Sequence, residues 1–62
     1  MTSKDLDYIK DAFNWNLNVY NTVNMFISKV SKKELKTVLK DILDLSYNNM
    51  ETLIKYMEAY NG

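Results

Sequence analysis

The chain has 62 residues, a mass of 7.3 kDa and neither cysteine nor histidine, which excludes disulfide bonds and the usual metal clips as sources of stability. Eight lysines balance eight acidic residues and arginine is absent, so the composition argues against a nucleic-acid partner. No apolar run reaches the roughly 20 residues of a membrane span, and the first residues do not resemble a signal peptide. We therefore expect a soluble protein made in the cytoplasm, with no membrane partner.

The absence of proline, the single glycine and the 47% hydrophobic content predict an all-α chain. The apolar pattern breaks once, at residues 29–34, where Ser31 and Glu34 have the spacing of a capping box. We predict a first helix over residues 3–29 and a second over residues 32–60, stopped by the final Asn-Gly pair. Because the connection is short, the helices must be antiparallel neighbours, and residues 1–62 form one helical-hairpin domain.

The apolar residues of each helix cover an arc of roughly 200°, about twice what a helix needs to face one core. One stripe of the first helix suits the partner helix of the hairpin: Leu6, Ile9, Phe13, Leu17, Tyr20, Val23, Ile27 and Val30. A second stripe lies beside it: Tyr8, Ala12, Trp15, Val19 and Phe26. The second helix has an arc of similar width: Leu35, Val38, Leu39, Ile42, Leu43, Leu45, Met50, Leu53, Ile54, Tyr56, Met57 and Tyr60.

One partner helix cannot cover such wide arcs. We therefore predict that two hairpins pack face to face as a homodimeric four-helix bundle. The predicted dimer interface consists of Tyr8, Ala12, Trp15, Val19, Phe26, Val38, Leu45 and Tyr56. The alternative is that these rings are ordinary surface aromatics, which tolerate water.

The charged residues are distributed unevenly between the two ends of the predicted hairpin. The tip carries Lys29, Lys32, Lys33, Lys36 and Lys40, with Glu34 as the opposing charge. The open end carries Asp5, Asp7, Asp11, Glu51 and Glu58 against Lys4, Lys10 and Lys55. Antiparallel docking of two hairpins would bring tip to base, selecting orientation more than supplying affinity. A solvated lysine cluster without a partner is the alternative.

A hairpin that closes around Ser31 places Tyr20 beside Ile42 and Asn16 level with Ser46, with Asn49 one turn later. These polar residues predict a buried polar layer at mid-height, whose side chains hydrogen-bond one another or trapped water and fix register and oligomeric state. The positions correspond to those of ligands in carboxylate-bridged di-metal bundles. Two amides and a hydroxyl cannot balance the charge of an iron pair, so we predict no metal and no cofactor.

We also predict no catalytic residue and no enzymatic activity. Without histidine and cysteine the common nucleophile–base pairs are missing, and the chain has no glycine-rich phosphate loop. Two classes of function stay open: a structural protein whose hairpins dimerise, and a helical module that presents its apolar face to another protein. A tight dimer favours the first class, whereas a monomer with an exposed Trp15 favours the second.

Residues 4–11, followed by Phe-Asn-Trp-Asn at 13–16, resemble the opening helix of short clostridial and bacillar proteins related to spore coat protein F. Residues 34–36 and 47–53 resemble the second helix of the same group. The resemblance implies a ferritin-like bundle, of which this chain would be a metal-free half, a structural role in the spore coat, and other coat proteins as partners. Where ferritin-like relatives place histidine or glutamate, this chain has Ser46 and Asn49.

A second resemblance is to small hairpin regulators of sporulation signalling, although the Ser-Gln-Glu-Leu-Asp motif of the aspartyl-phosphate phosphatase group is absent. It implies the alternative function, a regulatory hairpin that presents Tyr8, Trp15 and Phe26 to a protein partner.

Overall fold

A computed structural model describes residues 2–61, which form two helices and no strand. Helix α1 spans Ser3–Ile27 and helix α2 spans Lys33–Asn61, joined by residues 28–32. The helices pack against each other along a rod of 45 × 14 × 11 Å. The prediction of an all-α chain with two helices is confirmed. The predicted helix stop at the final Asn-Gly pair involves Gly62, which lies outside the described residues.

Helix α1 begins with a capping box. The Thr2 hydroxyl accepts a hydrogen bond from the Asp5 backbone N–H, and the Asp5 carboxylate accepts one from the Thr2 backbone N–H, each at 3.1 Å. Both hydrogen bonds satisfy donors that the first helical turn leaves without partners. The bond from the Thr2 backbone, and secondarily that with its side chain, lowers the pKa of Asp5 below its ordinary value of 3.8.

Helix α1 ends at Ile27, two residues before the predicted end at residue 29. The backbone N–H groups of Lys29 and Val30 both donate to the Phe26 carbonyl, at 2.9 and 3.1 Å. The Ser28 hydroxyl donates to the Met25 carbonyl at 2.8 Å. Carbonyl groups of the last helical turn thus accept hydrogen bonds from the Ser28 side chain and from the backbone N–H groups that follow. These hydrogen bonds close the chain into a turn and end the helix.

Helix α2 begins at Lys33, one residue later than predicted, and the predicted Ser31–Glu34 capping box is wrong. The Lys32 carbonyl accepts from the Lys36 N–H at 3.2 Å, so Lys32 is the residue that caps the helix. A capping box needs the hydroxyl residue at the cap and the carboxylate three positions later. Ser31 lies one position too early for this geometry, and no Ser31–Glu34 hydrogen bond occurs within residues 2–61.

The contact between the helices forms along a row of residues spaced alternately by three and four positions, which we call the hairpin seam. Its members are all buried or half-buried: Leu6, Ile9, Phe13, Asn16, Tyr20, Val23, Ile27 and Val30 from α1 and its C-terminal turn, and Leu39, Leu43, Ser46, Met50, Leu53 and Met57 from α2. This spacing keeps a strip of each helix facing its partner. Leu17, predicted for the first stripe, is instead exposed, and Asn16 occupies the seam.

The register of the hairpin differs from the prediction by about one helical turn. Asn16 lies beside Asn49, with 3.2 Å between the amide groups, and the rings of Tyr20 and Tyr47 have centroids 6.4 Å apart. The sequence placed Asn16 level with Ser46 and Tyr20 beside Ile42. In the observed register the first residues of α2 lie beyond the level of Ile27, so the helices do not close symmetrically around Ser31.

Candidate interaction surface

A second row runs along each helix with the same alternation of three and four residues, and we call the two rows together the open face. Its members are Tyr8, Ala12, Trp15, Val19, Thr22 and Phe26 from α1, and Leu35, Val38, Ile42, Leu45, Asn49, Thr52, Tyr56 and Ala59 from α2. Ala12 and Val19 are half-buried and the others are exposed. No partner helix within residues 2–61 covers this apolar surface.

Both rows of the open face lie on the same side of the hairpin. In both helices each residue of the open face comes two or three positions after a residue of the hairpin seam. Tyr8 follows Leu6 in this way, and Leu45 follows Leu43. Viewed along the rod, an antiparallel helix reverses the sense of rotation, so equal displacements on α1 and α2 turn both rows toward one side. The open face is therefore one continuous surface, two helices wide.

The most exposed large side chains of the open face lie near the middle of the rod. Trp15 is 71% exposed and Leu45 is 62% exposed. Beside Trp15, a shallow groove of about 290 Å³ runs past Val19 and Thr22. Another, of about 380 Å³, lies along Thr52 and Tyr56. Both grooves are open to solvent and can receive side chains from a facing helix, which is how helices interlock in bundles.

The open face carries no charged residue, although charged residues make up 26% of the chain. Charges occupy the remaining sides of both helices, at positions such as Lys10, Asp11, Asp44, Glu51 and Lys55. Depletion of charge together with exposed aromatic side chains is the compositional signature of the centre of a protein interface. The open face shares this composition.

A polar contact lies at the boundary between the hairpin seam and the open face. The Asn49 side-chain N–H donates to the Asn16 side-chain oxygen at 3.2 Å, and the Asn16 side-chain N–H donates to the Ala12 carbonyl at 2.8 Å. Within residues 2–61 the Asn49 side-chain oxygen and its second N–H have no partner. The Asn49 amide can therefore form further hydrogen bonds from an exposed position on the open face.

The predicted polar layer is only partly buried in the single hairpin. Ser46 is 3% exposed, Asn16 is half-buried, and Asn49 is exposed because the open side of the hairpin leaves it uncovered. Asn16 and Asn49 bond each other as expected, but the Ser46 hydroxyl donates to the Leu43 carbonyl of its own helix at 3.0 Å. The layer is thus an amide pair with a separate, self-satisfied serine.

These polar groups do not suit the di-iron centre that a ferritin-like relationship would imply. The donor set consists of two neutral amides and a hydroxyl, and the two amides bond each other. Iron pairs in such bundles require carboxylates and histidines to balance their charge. Within residues 2–61 no group of three histidine, cysteine, aspartate or glutamate side chains has a metal-binding arrangement.

The structure brings all eight residues of the predicted dimer interface onto the open face. The sequence reasoning left out six of its members: Thr22, Leu35, Ile42, Asn49, Thr52 and Ala59. The signal that identifies them is the continuous alternation of three and four residues, which runs through polar and small residues as well as large apolar ones. Selection by hydrophobicity alone misses these positions.

No family model matches the chain, and no curated protein or solved structure does either. Neither helix, over residues 2–61, contains a stretch long and apolar enough to cross a membrane.

Proposed function

We propose that the chain is a non-enzymatic structural protein that assembles with a second copy of itself through the open face, giving a homodimeric four-helix bundle. The observation that carries the proposal is the open face itself, an uncharged and largely apolar surface that runs over residues 8–26 of α1 and 35–59 of α2 and is two helices wide. Monomeric soluble proteins rarely leave contiguous apolar patches of more than a few hundred Å² in water.

The angle between the two rows on each helix supports a four-helix bundle. The seam and the open row have centres about 110° apart around the helix, at 100° per residue. In a square bundle of four helices each helix touches two neighbours at about 90°, so a seam and an open row at this separation meet one neighbour each. Rows on opposite sides of the helix would instead favour an open sheet of helices.

The accessible surface supports a partner of the same size. The hairpin exposes 4884 Å². A folded monomer of this mass is expected to expose about 4,200 Å², so the excess is roughly 700 Å². A standard interface buries about 800 Å² on each partner. The surplus surface is thus close to what one specific contact would cover.

A structural rather than catalytic role is supported by the side-chain inventory. The chain lacks histidine and cysteine, which supply most nucleophile–base pairs. The grooves on the open face are shallow, and the second is lined by Thr52, Lys55, Tyr56 and Ala59 without a nucleophile–base pair. Through the resemblance to proteins related to spore coat protein F, we extend the proposal to the spore coat or a related assembly, with other coat proteins as further partners. A regulatory hairpin that presents Tyr8, Trp15 and Phe26 to a different protein is the alternative.

The test is sedimentation equilibrium combined with the emission spectrum of the single tryptophan. We expect a dimer mass and blue-shifted emission from a covered Trp15. Trp15→Asp should abolish the dimer, because it places a carboxylate at the centre of the open face. Asn14→Asp is the matched control, since it adds the same charge one residue away on an exposed side of α1, and it should leave the dimer intact.

A wild-type chain that sediments as a folded monomer with water-exposed Trp15 would overturn self-association and favour the regulatory hairpin. Equal dissociation by both substitutions would show that charge alone, rather than the open face, controls the assembly.

A further inference from the structure

We propose that the second copy docks antiparallel, tip against base, with a two-fold axis that crosses the rod beside the Asn16–Asn49 contact. This inference rests on the proposed self-association and specifies its geometry. In this arrangement α1 faces the α1 of the other copy, and α2 faces the α2 of the other copy.

The row of α1 on the open face is arranged symmetrically about one point. Tyr8 and Phe26, Ala12 and Thr22, and Trp15 and Val19 form three pairs that share a midpoint at position 17. An antiparallel copy of α1 centred there places Tyr8 over Phe26, the small Ala12 over the small Thr22, and the large Trp15 over Val19. Large side chains then meet at the ends of the row, small ones meet between them, and Trp15 packs on Val19 next to the centre.

The row of α2 has its own centre at nearly the same height. Four pairs share a midpoint at position 47: Leu45 and Asn49, Ile42 and Thr52, Val38 and Tyr56, and Leu35 and Ala59. The hydrogen bond from Asn49 to Asn16 shows that this centre is level with the midpoint of the α1 row, to within about one residue. The two rows belong to different helices. One two-fold axis can relate both pairs of helices only if the centres of the two rows lie at the same height.

The Asn49 amide lies close to this axis and has unused hydrogen-bonding capacity. One of its N–H groups is used by Asn16, while its oxygen and the other N–H have no partner within residues 2–61. Burying these groups without partners would lower stability, so the dimer must leave them water or a polar neighbour near the axis.

The charges at the two ends select the same orientation. Parallel docking would put the two lysine-rich tips side by side, whereas antiparallel docking puts each tip near the other copy's base, where Asp5, Asp7 and Glu58 lie. Exposed charge pairs contribute little energy individually, but like charges brought together disfavour the wrong orientation.

Cysteine cross-linking tests this geometry, because the chain has no cysteine of its own. Equal amounts of Tyr8→Cys and Phe26→Cys chains, distinguished by a mass tag, are unfolded together, refolded and oxidised. Antiparallel docking predicts heterodisulfides between the two variants. The matched mixture of Phe26→Cys with Val38→Cys reports the parallel arrangement, in which α1 faces the other copy's α2, and should give none.

A second measurement leaves the open face untouched. Nitroxide labels on Lys33→Cys, at the exposed start of α2, should lie about 40–45 Å apart in the antiparallel dimer at 1.5 Å per residue, but within about 20 Å in a parallel one. A dimer that shows the short distance, or that cross-links through Phe26→Cys and Val38→Cys, overturns the antiparallel geometry and leaves self-association standing. A wild-type monomer by sedimentation overturns both proposals.

Discussion

The hairpin seam and the open face have the same spacing and nearly the same length, yet one is buried and the other lies in water. Two valines make the contrast concrete: Val23 on the seam is 9% exposed, whereas Val38 on the open face is 54% exposed. Nothing in the local pattern distinguishes the two rows. The difference is that each helix has one partner helix within the hairpin, while the same spacing recurs on a second row that no helix of residues 2–61 covers.

The seam alone forms a thin core. Val23 and Met50 are the hydrophobic residues that the hairpin buries, and within residues 2–61 no side chain is less than 2% exposed. Chains of about 60 residues without disulfides or metals have little stability to spare. If the open face completes the core, the stability of the hairpin depends on the concentration of its second copy. Substitutions that act on one surface at a time can separate the two contributions.

Valine-to-aspartate substitutions on the two surfaces should differ most in their effect on stability. Val23→Asp buries a carboxylate in the seam and should unfold the chain at every protein concentration, because burial of an unpaired charge exceeds the stability available. Val38→Asp should lower the melting temperature only as far as dimer loss requires, and high protein concentration or salt should restore part of it. Circular dichroism melts over a wide concentration range distinguish the two. Identical melting curves for both variants would show that the two surfaces contribute to stability in the same way.

The existence of two helices and two apolar rows could be predicted from the sequence because both follow from periodicity, which is local. The choice between Asn16 and Leu17 could not, because steps of 100° allow either residue into the stripe, whereas contact between two helices follows a repeat of 3.5 residues. The register was missed for a different reason. It depends on where α1 stops, and Ser28, Lys29 and Val30 end that helix through hydrogen bonds that no apolar pattern reveals.

The Asn16–Asn49 contact lies between the two surfaces, so a substitution of Asn16 acts on both. Asn16→Leu adds apolar surface to the half-buried seam and should raise the unfolding free energy by about 1 kcal/mol. It should also loosen the choice of dimer orientation, because a polar seam residue fixes register at a cost in stability. Thermal melts and the two cysteine mixtures measure these effects. A lower melting temperature would show that the amide pair contributes more than an apolar contact in its place.

The helix caps lie apart from both surfaces, and substitutions there should change stability less. Thr2→Ala removes the cap of α1 and should cost about 1 kcal/mol, without changing the dimer mass beyond what the lower stability requires. Ser31→Ala is the matched control at the start of α2, where the hydroxyl makes no cap, and should change stability by less than about 0.5 kcal/mol. A larger loss for Ser31→Ala would mean that α2 does use this serine.

The smallest expected effect is the pH dependence of the α1 cap. Since hydrogen bonds from Thr2 lower the pKa of Asp5 in the folded chain, the folded state holds its proton less firmly than the unfolded state, whose pKa is near the ordinary 3.8. The stabilisation is therefore complete above that value and is lost as the pH falls through the lower, folded-state pKa. The difference in melting temperature between wild type and Asp5→Asn should shrink on acidification below pH 3.8. Asp11→Asn, a substitution outside the capping box, is the control, and a difference for Asp5→Asn that persisted unchanged into strong acid would exclude a charged cap.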